Sequence, residues 1–401
     1  MIQKQVILLF LQFVLVSSLG RTQAFSYQDF HNEKDSVLLV KKGLEAWSYY
    51  IRNSVDSLKI VGSEMVDSKY VSLYPVGLIN LGSFHIRTND IPKGIELLEE
   101  ARELFAKERS AALLSETENE IGNAYFLKGN YNLSSRYYFS SMVHGANIAD
   151  VTASYNGMIG FGKTICATGD TIRGVRFVRE YLERCLKNDK FESASDACGF
   201  LGMIEGLKGK VELMSAYYRR GNVYAWRSNS KTHWANAHTN KAIDFFTKQK
   251  VDSAEMLFQK ALSIRKEVGA TRPIVEGYYN LAILNIETGR FDEAHKYALL
   301  GEELSKDAGV ISWQLDCLLL LKEIAENQRR FHDIEPIQVE IDLLQAELEL
   351  MGNLDSEILD LAVSFTSLDE IANDHSRKTE ITLTFILLGS FIMLLYKERA
   401  S

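Results

Sequence analysis

The strongest constraint on this chain is a 40-residue step that runs through its middle without a gap. Gly82, Gly122, Gly162, Gly202, Ala242, Ala282 and Lys322 form one column at that step. Seven positions later stand Asn89, Gly129, Gly169, Gly209, Gln249, Gly289 and Arg329; sixteen later stand Leu98, Tyr138, Val178, Tyr218, Phe258, Ala298 and Gln338. A fixed period of this length marks stacked supersecondary units, each leaving an apolar face open until its neighbour covers it. The columns describe packing. The small residue lets the two helices of a hairpin approach closely. The Asn or Gly seven later takes the left-handed turn that ends the first helix.

Composition fits helices. Only 4 prolines occur in 401 residues, against 20 Phe and 18 Tyr, and proline is the residue that interrupts a helix by removing a donor and clashing with the preceding turn. The net charge of −8, with no long basic block, excludes nucleic acid as the main partner.

The clearest copies of the unit are 278–298, YYNLAILNIETGRFDEAHKYA; 251–261, VDSAEMLFQKA; and 121–138, IGNAYFLKGNYNLSSRYY. This pattern resembles the tetratricopeptide repeat family. The resemblance implies an all-α fold: a right-handed superhelical solenoid of helical hairpins. It sets a divergent hairpin at 25–74, with Ala46, Tyr49, Asn53, Val55 and Leu58 in the same columns. Seven repeats follow at 75–354, the last eroded by Lys322, and then a capping or linker helix at 355–378.

In such arrays the first helix of each hairpin lines the concave face. Two positions before the small column stand Asn240 and Asn280. The resemblance gives Asn there the role of pairing with a peptide backbone, for which an amide carries both donor and acceptor. Asn236 belongs to a polar and acidic rib six positions before the column, with Asp196, Glu276 and Asp316. Lys163 stands one position after the column, and Phe126 and Phe246 four after. These six, Asn240, Asn280, Asn236, Lys163, Phe126 and Phe246, are the candidate partner-binding residues.

The two ends carry targeting signals. Lys4, an apolar run at 6–16 and small residues before Ala24 read as a signal peptide, 1–24. Near the other end, 381–396 reads ITLTFILLGSFIMLLY, sixteen residues without a charge. One C-terminal transmembrane helix, 379–396, is therefore expected, with a cytoplasmic tail at 397–401. The chain is placed as a single-pass protein of the bacterial inner membrane, its repeat domain in the periplasm.

Several motifs point elsewhere and are set aside. GMIGFGKT at 157–164 matches the phosphate-loop pattern. Yet Gly162 holds the small-residue column, in the middle of a helix, so no nucleotide is expected. His233 and His238 are five apart and do not share a helix face, so no metal is expected. The four cysteines form no C-x-x-C pair, and a bridge between Cys185 and Cys198 is left open. No nucleophile or paired-carboxylate constellation appears, so the chain is not expected to be an enzyme and no cofactor is implied.

Two functions follow. One is a membrane-anchored extracytoplasmic scaffold that binds a peptide or protein segment. The other is the sensor half of a signal-transduction regulator, whose kinase or DNA-binding output module is missing or supplied by a partner. The layout resembles the sensing half of bacterial membrane-bound TPR regulators.

Overall fold

The computed structural model describes residues 35–146, 153–351, 358 and 362. Among these residues the secondary structure is helical throughout, with no strand. Helix α1 (Ser36–Asn53) and α2 (Val55–Val66) come first. Seven hairpins follow at the 40-residue step: α3 (Tyr74–Thr88) with α4 (Ile91–Glu108), α5 (Ala111–Leu127) with α6 (Tyr131–Ala146), α7 (Ala153–Ala167) with α8 (Thr171–Lys187), and α9 (Phe191–Leu207) with α10 (Val211–Ala225). Then come α11 (Lys231–Phe246) with α12 (Val251–Val268), α13 (Thr271–Glu287) with α14 (Phe291–Asp307), and α15 (Ile311–Asn327) with α16 (Phe331–Met351).

Each hairpin turns on the residue seven past the small column. Asn89, Gly129, Gly169, Gly209, Gln249, Gly289 and Arg329 all have positive φ, from 55° to 98°. That conformation returns backbone N–H groups to the orphaned carbonyls at the helix end. Lys210 N donates to Glu205 O at 2.9 Å, and Arg330 N to Ala325 O at 2.8 Å.

The small column is where paired helices cross, and the partner is the residue sixteen later. A Cβ on Gly82 would lie 2.7 Å from Leu98 Cγ, on Gly122 2.8 Å from the Tyr138 ring, on Gly162 2.9 Å from Val178 Cγ2, and on Gly202 2.5 Å from the Tyr218 ring. In the last hairpin the apolar pair is replaced by a polar one: Lys322 Nζ donates to Gln338 Oε1 at 2.7 Å. The glycines of 157–164 belong to this packing. The segment lies inside α7, and a Cβ on Gly160 would meet the Tyr138 ring at 2.1 Å. It has the geometry of a helix against a helix, not of a loop around a phosphate.

The stack also closes on itself. The elbow between α1 and α2 docks on the rim formed by the starts of α9, α11 and α13. Arg52 Nη1 meets Glu192 Oε2 at 2.5 Å. Asn53 Oδ1 accepts from Lys231 N at 2.9 Å and its Nδ2 donates to Asn229 O at 3.3 Å. Thr232 Oγ1 donates to Arg52 O at 2.9 Å. Val55 is buried in one cluster with Val268 and Ala270, with Phe84 of α3 against it.

The structure corrects two expectations. Among the described residues no helix is long and apolar enough to cross a membrane. Even the longest, α16, carries Asp333, Glu335, Glu340, Asp342, Glu347 and Glu349 along its length. The fold class therefore stands as a helical solenoid without the C-terminal transmembrane helix, and the single-pass inner-membrane placement with periplasmic repeats is withdrawn with it. The segments that prompted these expectations, 1–24, 379–396 and 397–401, lie outside the described residues. Cys185 and Cys198 are both free and buried, and burial pushes their thiols up to about 12 and about 11.

Candidate ligand-binding face

The column two before the small residue is used differently along the array. Asn80 is buried and turns its amide to Val76 O at 2.9 Å. Glu120 is buried in an ion pair with Arg87 at 2.8 Å and accepts from Ser83 Oγ at 3.2 Å. The first hairpin sits on these positions, since Trp47 Nε1 donates to the same Ser83 at 2.8 Å. Gly160 is covered by the Tyr138 ring, and Leu320 is buried. Asn240 and Asn280 differ. Both are half-buried, on α11 and α13, and neither amide makes a hydrogen bond among the described residues. Asn240 Nδ2 reaches toward Gly199 of α9, 3.7 Å from where a Cβ there would sit.

The acidic rib is largely paired. Buried Arg265 of α12 donates to Glu276 Oε1 at 2.9 Å and to Asn236 Oδ1 at 3.4 Å, so one guanidinium clips the same rib position on two neighbouring hairpins. Asp196 faces His233 Nε2 at 3.3 Å, and that imidazole is held from its other side by Ser230 Oγ at 2.7 Å. Desolvation pushes the Asp196 carboxyl up, but His233, Lys163 and Arg52 pull it further the other way, to about 2. Asp316 has no such help, and burial alone raises its carboxyl.

Two cations stand beside aromatic rings. Lys163 Nζ stands 5.7 Å from the centre of the Phe200 ring, and the Arg272 guanidinium 5.8 Å from that of Phe126. Lys163 is half-buried and Arg272 is exposed, each with neighbouring helices close by. Desolvation lowers the Lys163 ammonium, which Asp196 favours and Arg272 disfavours. Desolvation also lowers Arg272, against Glu276, Tyr138 and Tyr131. Phe126 also leans on Tyr131, ring centres 5.6 Å apart. Phe126 packs at the edge of the cluster of Tyr138, Phe161 and Leu201, and Phe246 at the edge of that of Ala242, Phe258 and Leu281.

The structure thus places Lys163 beside Phe200 and Phe126 beside Arg272, ties Asn236 into an internal clip, leaves the Asn240 and Asn280 amides without hydrogen bonds among the described residues, and packs Phe126 and Phe246 at the edges of separate apolar clusters. Sequence reasoning missed Arg272. It shares a column with Thr232 and Glu192, forty and eighty residues earlier; the residue types differ, so no pattern marked it. Among the described residues no group of three or more His, Cys, Asp or Glu side chains converges to hold a metal ion.

Residues 235–306 match the tetratricopeptide repeat family. No curated protein matches the chain in sequence. Among solved structures, a Rap protein complexed with competence and sporulation factor superposes with a TM-score of 0.64 at 11% identity, over 88% of this chain and 100% of the other. The Rap conjugation gene regulator of plasmid pLS20, in complex with a peptide, gives 0.55 at 12% identity, over 81% and 93%. NprR in complex with its cognate peptide NprX gives 0.51 at 16% identity, over 83% and 92%. At these identities the likeness is one of fold.

Proposed function

Starting from a chain that contains tetratricopeptide repeats, we propose that it is a non-catalytic binding scaffold whose inner wall receives a peptide or protein segment. The observation that carries this reading is the pair Asn240 and Asn280. Their amides occupy one repeat position on successive hairpins, half-buried and without hydrogen bonds among the described residues. An amide in that setting can accept from and donate to a peptide backbone. Lys163 and Arg272, each beside an aromatic ring, supply cationic groups that a bound segment could meet. The Rap conjugation regulator and NprR structures of the same fold, each in complex with a peptide, support the reading.

The test is affinity and stability measured together. A peptide ligand selected from a random library on the intact chain is titrated against Asn280→Ala and against Asn240→Ala with Asn280→Ala. The single change is expected to weaken binding by about 1–2 kcal/mol, because a backbone group of the ligand is left desolvated and unpaired. The double change is expected to lose roughly the sum, the two contacts being separate. Unchanged affinity in the double variant, with a lowered melting temperature, would make both amides structural and remove them from the site.

A further inference from the structure

Arg265 breaks the habit of its own column. Twenty-three positions past the small residue, five of the other six hairpins carry a buried, uncharged residue: Phe105, Gly145, Cys185, Ala225 and Ser305. Arg265 holds that position on α12 and is only 2% exposed. Its Nη2 donates to Glu276 Oε1 and to Asn236 Oδ1, while Nε and Nη1 have no hydrogen-bond partner among the described residues. Taking a charge out of water is costly, and a well-packed apolar side chain in such a place is often as stable or more so. Stability alone therefore does not account for an arginine here.

What the side chain reaches does account for it. Asn236 lies on α11 and Glu276 on α13, each six positions before the small residue of its helix. Asn240 and Asn280 follow four positions later on the same two helices. Residues i and i+4 are neighbours on one helix face, about 6 Å apart. Each candidate amide thus stands one turn beyond a residue that Arg265 holds. One guanidinium joins α11 to α13 at that level, by the faces that carry the amides.

We infer that Arg265 is a positioning residue: it fixes the separation and relative height of Asn240 and Asn280, so that one bound segment meets both amides at once. Being buried, it acts through them and not on the ligand. Without the clip either amide still pairs, but the two no longer pair with the same segment in register. The inference rests on the reading of the array as a segment-binding scaffold, and adds to it what sets the spacing that a ligand must match.

The library-selected peptide tests it, titrated against the full chain carrying Arg265→Met and, in that background, Asn240→Ala or Asn280→Ala. Arg265→Met is expected to melt at or above the temperature of the parent, because the half-exposed Glu276 turns to water. It is expected to bind about tenfold more weakly, the loss of one of two amide contacts. Either single amide change is expected to cost about tenfold in the parent but less than about twofold in the variant, where the ligand keeps the other amide. Asn236→Ala cuts the clip on α11 and leaves the guanidinium its carboxylate, and should bind like Arg265→Met. Glu276→Gln keeps an acceptor and should bind within about twofold of the parent. A folded Arg265→Met or Asn236→Ala with the affinity of the parent overturns the proposal, as do amide costs that stay at about tenfold in the variant. If both clip variants lose the cooperative melt, Arg265 holds the fold and not the spacing, and the proposal fails. If the double amide change leaves the affinity of the parent untouched, the site of the scaffold reading falls and this proposal with it. If that change weakens binding while the clip variants do not, only the proposal made here falls.

Discussion

At Gly202 the space for a side chain is already taken. Ring carbons of Tyr218 lie 2.5 and 2.6 Å from where a Cβ would be. Gly202→Leu forces a large group into a helix crossing, an overpacking that costs on the order of 1–3 kcal/mol, of which better helix propensity returns up to ~1. The urea midpoint should fall; a variant as stable as the parent would contradict the packing at this column. Asp316 makes the opposite prediction. Burial raises its carboxyl, so the ionised form is disfavoured in the folded chain, and that penalty grows as pH climbs from the unfolded pKa, roughly 3.9, through the raised folded one. Asp316→Asn is expected to raise the melting temperature at pH 7, with the gain vanishing below about pH 4. A gain that persists in acid would have another origin. Residues such as Gly202 were legible in the sequence because a helix crossing admits only small side chains. The environment of Asp316 was not, since its type and spacing match those of Asp196, and the difference is whether a neighbouring helix brings a His or a Lys.

The left-handed turns show what a hairpin demands of its sequence. Five of the seven turn positions are Asn or Gly, but Gln249 and Arg329 adopt the same conformation, at φ 58° and 55°. A side chain there works against the backbone, because Cβ crowds the following carbonyl. Gln249→Gly should therefore stabilise the array, by about 0.5–1 kcal/mol once the entropy of Gly in the unfolded chain is set against the relief. Thermal melting would show it, and a loss of stability would mean that the Gln249 side chain contributes more than its strain removes. The hairpins themselves were legible because this column, the small column and the partner sixteen later must all fall in register. A second left-handed column was not. Arg109, Asp189, Gly269 and Gly309 have positive φ in the links between hairpins. They stand at multiples of the same 40-residue step, but in a mixture of residue types that no composition rule selects. The member expected at Asn229 is absent from the set, and that link is the one whose backbone carbonyl accepts from Asn53.

The docking of the α1–α2 elbow belongs to the whole molecule, and nothing local announced it. Arg52 and Glu192 are 140 residues apart, and Asn53 and Lys231 are 178 apart. It is also why the predicted binding column splits. The first hairpin covers Asn80 and Glu120, while Asn240 and Asn280, farther along, keep their amides unpaired. Asn53→Ala removes one acceptor and one donor from the junction and leaves Lys231 N and Asn229 O to find water. A cost of about 1–3 kcal/mol is expected. Its signature is spatial: hydrogen exchange should accelerate in α11, whose sequence is untouched, as well as in α1. Acceleration confined to α1 would mean that the rim does not depend on the elbow. A stack of repeats joined only to nearest neighbours behaves as a one-dimensional chain, so its terminal units fray first and its middle is protected. Fastening the first unit, α1 with α2, to the fifth and sixth turns that line into a loop. Units two to four then have no free end from which to unzip, and their opening must wait for the bond that spans them to break.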